Sequence, residues 1–221
     1  MNKTIGVLAL QGGFASHIAV LESLGATTRE VRTRDDLASC DSLVIPGGES
    51  TVLTRLLMEP GTGYGTGRPW IPTTLFHAIS DFVRERPTMG TCAGLIMLAR
   101  PCGDERVVSL NALDVDVARN AYGRQTESFV EPVTLSFNEG QAATAEGVNP
   151  REANTSRYPA TFIRAPKITR VGTGIAILAS VPRPDGGSDP VFVRQGNLLG
   201  LTFHPELTPK DTRIHEYFMS L

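Results

Sequence analysis

The segment Gly90-Thr91-Cys92-Ala93-Gly94 sets a thiol between two glycines, directly ahead of the apolar run Leu95-Ile96-Met97-Leu98. G-x-C-x-G is the cysteine form of the G-x-S-x-G elbow, in which a sharp strand-to-helix turn lifts a nucleophile over the carboxyl end of a parallel sheet. A thiol attacks only as thiolate, and the N-terminus of a helix starting at Ala93 supplies part of the positive field that favours that form. Cys92 is equally readable as a small buried apolar residue, because free cysteine is among the most buried types. What decides between the readings is whether the chain also supplies a base.

There are four histidines. His17 and His77 fall inside expected helices and His215 in the C-terminal helix, where packing or solvated roles are expected. His204 differs, because it stands in LTFHPELT just past an apolar strand, where α/β enzymes collect site residues. Glu206 lies two positions on, and in an extended segment residues i and i+2 point to the same side, so its carboxylate can orient the imidazole. Cys92, His204 and Glu206 thus form a candidate set of nucleophile, base and orienter. H-x-E near Pro101-Cys102 matches part of a zinc-deaminase signature, but the required C-x-x-C is missing, so no metal site is expected. Pro46-Gly47-Gly48-Glu49-Ser50-Thr51 adds two glycines at a strand end, where backbone N–H groups can approach a ligand closely. An N–H near Gly48, paired with the N–H of Ala93, would make an oxyanion hole for acyl transfer. The segment lacks the Lys of a Walker loop, so nucleotide binding is not indicated.

Such a site needs strands to aim it. TIGVLAL at 4–10 and SLVIP at 42–46 read as apolar strands buried on both faces of a parallel sheet, with a weaker strand near 28–32 and a short one at PTMG ahead of Cys92. Helices are expected from the spacing of Phe14, Ile18, Leu21 and Leu24, ended by Gly25, and of Val52, Leu53, Leu56 and Leu57. A third is expected over 73–86, and the elbow helix should stop at Pro101. Residues 60–72, dense in Gly and Pro, read as an exposed loop with Trp70 pinning one end, and 138–158 as a second long loop. Beyond Pro101 the runs VVSLNALDVDV, VEPVTLSF, ATFIRAP, IAILASV, PVFVRQ and LLGLTF make the second half β-rich. A last helix is expected with Thr208 as N-cap and Pro209 at its first position.

The bulk numbers are those of one α/β domain over 1–221: 221 residues, 41% hydrophobic and 20% charged. With 21 Lys plus Arg against 23 Asp plus Glu and no basic run, no nucleic-acid partner is expected. Three cysteines, Cys40, Cys92 and Cys102, form no C-x-x-C pair and suit a reducing compartment. The opening MNKTIGVLALQGG lacks a signal-peptide layout, and no segment approaches ~18 uninterrupted apolar residues, so a soluble, cytoplasmic protein with no membrane contact is expected.

Taken together, GVLALQG at 6–12, PGGEST at 46–51, GTCAGLI at 90–96, RNAYGRQ at 119–125, FIRAP at 162–166 and FHPELT at 203–208 resemble the glutaminase subunits of pyridoxal 5'-phosphate synthase, the Pdx2 or PdxT family. GTCAG and HPE alone indicate only the wider class I glutamine amidotransferases; GRQ and FIRAP point to this branch. The match fails mainly in the two loops. The resemblance implies a three-layer, flavodoxin-like α/β fold with a mainly parallel central sheet. It implies hydrolysis of L-glutamine to glutamate and ammonia through a glutamyl thioester, with no cofactor, and delivery of ammonia to a synthase subunit, Pdx1 or PdxS. It casts Cys92, His204 and Glu206 as the triad, Gly48, Glu49, Ser50, Arg119, Ile163 and Arg164 as glutamine-binding residues, and Gln11 as a supporting residue near the synthase interface. Alternatives with the same core chemistry are a glutaminase serving another amidotransferase and a stand-alone cysteine hydrolase. A catalytically silent docking module is a third.

Overall fold

The computed structural model describes residues 3–60, 70–119, 128–137 and 157–221. The first half alternates strand and helix: β1 (Thr4–Leu8), α1 (Phe14–Ser23), β2 (Thr27–Val31), α2 (Arg34–Ala38), β3 (Ser42–Ile45), α3 (Ser50–Leu57), β4 (Met58–Pro60), β5 (Trp70–Pro72), α4 (Thr74–Glu85), β6 (Thr88–Thr91) and α5 (Ala93–Leu98). The second half holds β7 (Val115–Ala118), β8 (Phe129–Val133), β9 (Tyr158–Phe162), β10 (Lys167–Val171), β11 (Ala176–Pro182), β12 (Ser188–Gln195), β13 (Leu198–Leu201) and α6 (Arg213–Met219).

Among the described residues seven strands form one sheet in the order β11-β12-β13-β6-β3-β1-β2. β2, β1, β3, β6 and β13 run parallel, and β12 and β11 extend the far edge antiparallel. Alternate residues of the central strands feed opposite faces, as the two-residue period of a strand requires. Leu43 and Ile45 join α2 to α5 through Leu37, Leu53, Ile79 and Leu95, whereas Val44 faces α1 and α6 through Leu21, Ile214 and Phe218. The result is a three-layer α/β sandwich with a core on each side of the sheet. Among the described residues no helix is long and apolar enough to cross a membrane.

Several local expectations need correction. α2 was not anticipated; a five-residue helix is too short to show a period, and what starts it is a capping box, in which Thr33 accepts from the Asp36 N–H and the Asp36 carboxylate accepts from the Thr33 N–H. The run from Val107 is not strand until Val115. Its buried residues Val107, Leu110 and Leu113 pack irregular backbone on α5, whose last carbonyls are capped by the N–H groups of Leu110 and Leu113. The loop expected over 60–72 has paired ends, β4 with β5, while 61–69, the Trp70 side chain and 138–156 lie outside the described residues. β10, which pairs with β7, was also missed. α6 begins after Thr212 rather than at Pro209, because the Thr208 hydroxyl donates to the Pro159 carbonyl at 3.0 Å and ties that turn to β9.

Candidate active site

Four neighbouring parallel strands, β1, β3, β6 and β13, deliver their carboxyl ends to one region, beside the point where strand order reverses between β1 and β3. Cys92 follows β6 at φ 49° and ψ −102°, a left-handed conformation costing a side chain ~1–3 kcal/mol. Its N–H donates to the Leu201 carbonyl at the end of β13 at 2.8 Å, which pins the turn. Both flanking glycines are required by contact. A Cβ on Gly94 would lie 2.0 Å from the Ile45 carbonyl oxygen of β3, and one on Gly90 would lie 2.6 Å from the Gly94 carbonyl oxygen. The glycine spacing therefore lets the first turn of α5 press onto the end of β3 and hold Cys92 above it.

His204 follows β13 and is held by its own N–H, which donates to the Thr161 carbonyl at 2.9 Å. Its Nδ1 lies 2.7 Å from Glu206 Oε1, and both residues are buried. The pairing expected from an extended segment is made instead through a 3₁₀ turn over Pro205–Leu207. Burial alone would lower the His204 pKa, but its hydrogen bonds to Cys92 and Glu206, with their charges, push it up to about 10. Burial works against ionisation of Glu206 as well; the rings of His17 and His204 outweigh it and hold the carboxyl well below the usual range. A Cβ on Gly13 would come 2.7 Å from Glu206 Oε1, so the loop after β1 is cut to the shape of that carboxylate.

Gly48, Glu49, Ser50, Cys92, Ile96, Arg119, Ile163, Arg164 and His204 line one small cavity of about 120 Å³. Every residue that the resemblance casts as glutamine-binding lies in that set. Glu49 caps α3 by accepting from the Val52 N–H at 3.0 Å, and Arg119 Nη2 stands 3.4 Å from its Oε1. Partial burial would raise the Glu49 pKa, but Thr51, the Val52 N–H and Arg119 together hold it down. Arg119 also binds Asp104, a partner that no motif marks. Of RNAYGRQ only Arg119 is described. Arg164 adopts φ 42°, so FIRAP contains a second left-handed residue at the cavity wall. The Gly47 carbonyl accepts from the Gly13 N–H at 3.0 Å, which turns the Gly48 N–H, anti to it across the planar peptide, away from Gly13. Gln11 Oε1 accepts from the Glu49 N–H at 3.1 Å and so bridges the loops after β1 and β3. A roomier cavity of about 420 Å³, lined by Lys3, Asp41 and Arg86 among others, opens at the opposite ends of the strands and holds none of these side chains.

His17 departs from its expected role. It is fully buried, and its Nε2 lies 3.2 Å from Glu206 Oε2. Helical spacing in α1 could place His17 inward, but no sequence signal links it to Glu206.

Residues 7–221 match the model of the SNO glutamine amidotransferase family. The chain belongs to that family. SNO-family similarity extends along the whole length: the pyridoxal 5'-phosphate synthase subunit PdxT of Solibacter usitatus is 40% identical, over 99% of this chain and 98% of the relative. The PdxT subunit of Cutibacterium acnes is 42% identical over 99% and 96%. A crystal structure described as a glutamine amidotransferase superposes with a TM-score of 0.72 at 34% identity, covering 98% of this chain and 97% of that one. The SNO family thus accounts for the α/β fold.

Proposed function

We propose that this chain is the glutaminase subunit of a pyridoxal 5'-phosphate synthase, hydrolysing L-glutamine to L-glutamate and ammonia and passing the ammonia to a Pdx1-type synthase subunit. The observation that carries the reading is the convergence on one cavity of an elbow cysteine, a histidine paired with a buried carboxylate, and the Arg119–Glu49 pair. Relatives named as synthase subunits supply the choice of acceptor. The three cysteines are free, which suits a cytoplasmic setting, and 1–221 is read as one glutaminase domain.

In this reading Arg119 and Glu49 meet the α-carboxylate and α-ammonium of glutamine, with Ser50, Ile163 and Arg164 closing the pocket. The Cys92 thiolate attacks the side-chain amide carbon, and the oxyanion forms against N–H groups of Gly48 and Ala93. The His204 imidazolium gives its proton to the amide nitrogen as the C–N bond breaks, releasing ammonia and leaving a glutamyl thioester. His204, now neutral, takes a proton from water; the hydroxide attacks the thioester and the thiolate departs, freeing glutamate. Glu206 holds the ring and stabilises its cationic form throughout. The loop at 47–48 is the element whose N–H supply docking on the synthase would secure, with Gln11 as its link to the partner. The test is ammonia release from glutamine by the purified chain with and without the synthase subunit. Strong stimulation is expected. Equal turnover in both conditions identifies a stand-alone hydrolase, and no turnover in either removes the glutaminase assignment.

A further inference from the structure

The triad carboxylate has a second imidazole behind it. Glu206 Oε1 is taken by His204, while Oε2, equally buried, faces His17 Nε2 at 3.2 Å and no closer polar side chain among the described residues. The same nitrogen is 3.3 Å from the hydroxyl of Thr91, the residue that precedes Cys92. On the far side of the ring, His17 Nδ1 is 3.0 Å from Nε2 of His215, on α6. Thr91, His17 and His215 are all fully buried.

The proton positions follow from what each ring can reach. One hydrogen sits between His17 Nδ1 and His215 Nε2. The remaining nitrogen of His215, Nδ1, is buried and has no partner among the described residues. A partnerless N–H is a costlier burial than a partnerless acceptor lone pair, so His215 carries its proton on Nε2 and donates it to His17. His17 Nδ1 is then the acceptor, and the proton of His17 is confined to Nε2, where it faces Glu206 Oε2 and Thr91 together. Burial, with His17 adding to it, pushes the His215 pKa down to about 3, consistent with a neutral donor.

We infer that His17, with its tautomer set by His215, is a positioning residue that clamps the Glu206 carboxylate from behind and ties it to the Cys92 elbow through Thr91. A carboxylate held at one oxygen only can rotate about its last bond and carry His204 with it. Held at both, it keeps Oε1 in line with the ring. His17 touches no substrate, and its effect is exerted through Glu206.

The inference rests on the glutaminase reading, so the assay includes the wild-type complex with the synthase subunit. An inactive wild type overturns that reading, whereas an active wild type with unaffected variants overturns this one. His17→Leu in a folded protein is expected to lower kcat about ten- to a hundredfold, as for loss of a hydrogen bond to a charged group, with KM little changed. The amide nitrogen of Gln reaches the Nε2 position, and that of Asn only the Nδ1 position. His17→Gln is therefore expected to recover kcat to within about fivefold of wild type, and His17→Asn to resemble His17→Leu. Wild-type kcat in His17→Leu, or equal kcat for the Gln and Asn variants, overturns the inference. A measurement free of folding effects accompanies it: nitrogen NMR of wild-type protein labelled at histidine should find both His17 and His215 protonated at Nε2 and bare at Nδ1. An Nδ1–H on His215 overturns the assignment.

Discussion

Cys92 carries the sharpest expectation at the residue scale. Cys92→Ala should abolish ammonia release while leaving the fold and synthase binding intact, and a glutamine-analogue electrophile should label Cys92 alone. Labelling of Cys40 or Cys102 would remove Cys92 from its role; Cys40 is buried, and burial raises its pKa first among its causes, which makes it a poor competitor. Arg119 is the other residue with a clear reading. Its guanidinium is largely buried between Glu49 and Asp104, the latter also held by Arg106, so Arg119→Ala takes a cation from both carboxylates as well as removing a ligand for glutamine. Loss of one member of a buried charge pair typically costs ~2–5 kcal/mol, which sets the expected fall in kcat/KM, with most of it in KM. Wild-type kinetics in that variant would make Arg119 a purely structural ion-pair partner.

At the scale of elements, the loops after β1 and β3 act as one unit. Gly12 has φ +85°, and a Cβ there would lie 1.8 Å from the Gly47 carbonyl oxygen. Gly12→Ala should therefore displace that carbonyl and with it the Gly48 N–H. Removing one oxyanion donor costs about 10²–10³ in kcat, so turnover should fall by that order while the thiol still alkylates. Turnover within fivefold of wild type would show that the Gly48 N–H is not a donor to the reaction. These loops were legible in advance because glycine at a strand end has a local meaning, and the same holds for the elbow; the His204–Glu206 pairing was legible too, but from an extended segment rather than the 3₁₀ turn that makes it. Asp104 and His17 were not. Each acts on the site through a partner that only the tertiary fold supplies, and no local spacing encodes that meeting. The ribbons β4–β5 and β7–β10 were obscure for the related reason that a short strand is defined by its partner. VVSLNALDVDV misled because alternating apolar residues over irregular backbone can bury themselves on a helix as well as on a sheet.

For the whole molecule, the buried histidines set opposite slopes of stability with pH. His215 is depressed to about 3, so the folded state refuses a proton that the unfolded chain accepts near its ordinary value of 6.5. Its contribution is present above that value and is lost as pH falls toward 3. Glu206, also depressed, adds to the same acid limb once pH drops below the usual carboxylate range. His204 is raised to about 10, so its contribution is full below 6.5 and drains away as pH rises through 10. Thermal stability should therefore be greatest near neutrality. His215→Gln, which cannot titrate, should flatten the decline between pH 6.5 and 4.5 by about 2–3 kcal/mol. A Tm-against-pH curve parallel to wild type would refute this assignment.

One bond already described orders events in time. The N–H of Cys92 is fixed by the carbonyl of Leu201, at the end of the strand that leads into His204. A chain emerging from the ribosome exposes residue 92 long before residue 201, so over that interval the thiol lacks its base and one anchor of its elbow. β13 brings both in a single docking event. Until β13 docks, Cys92 has neither this backbone anchor nor its histidine partner.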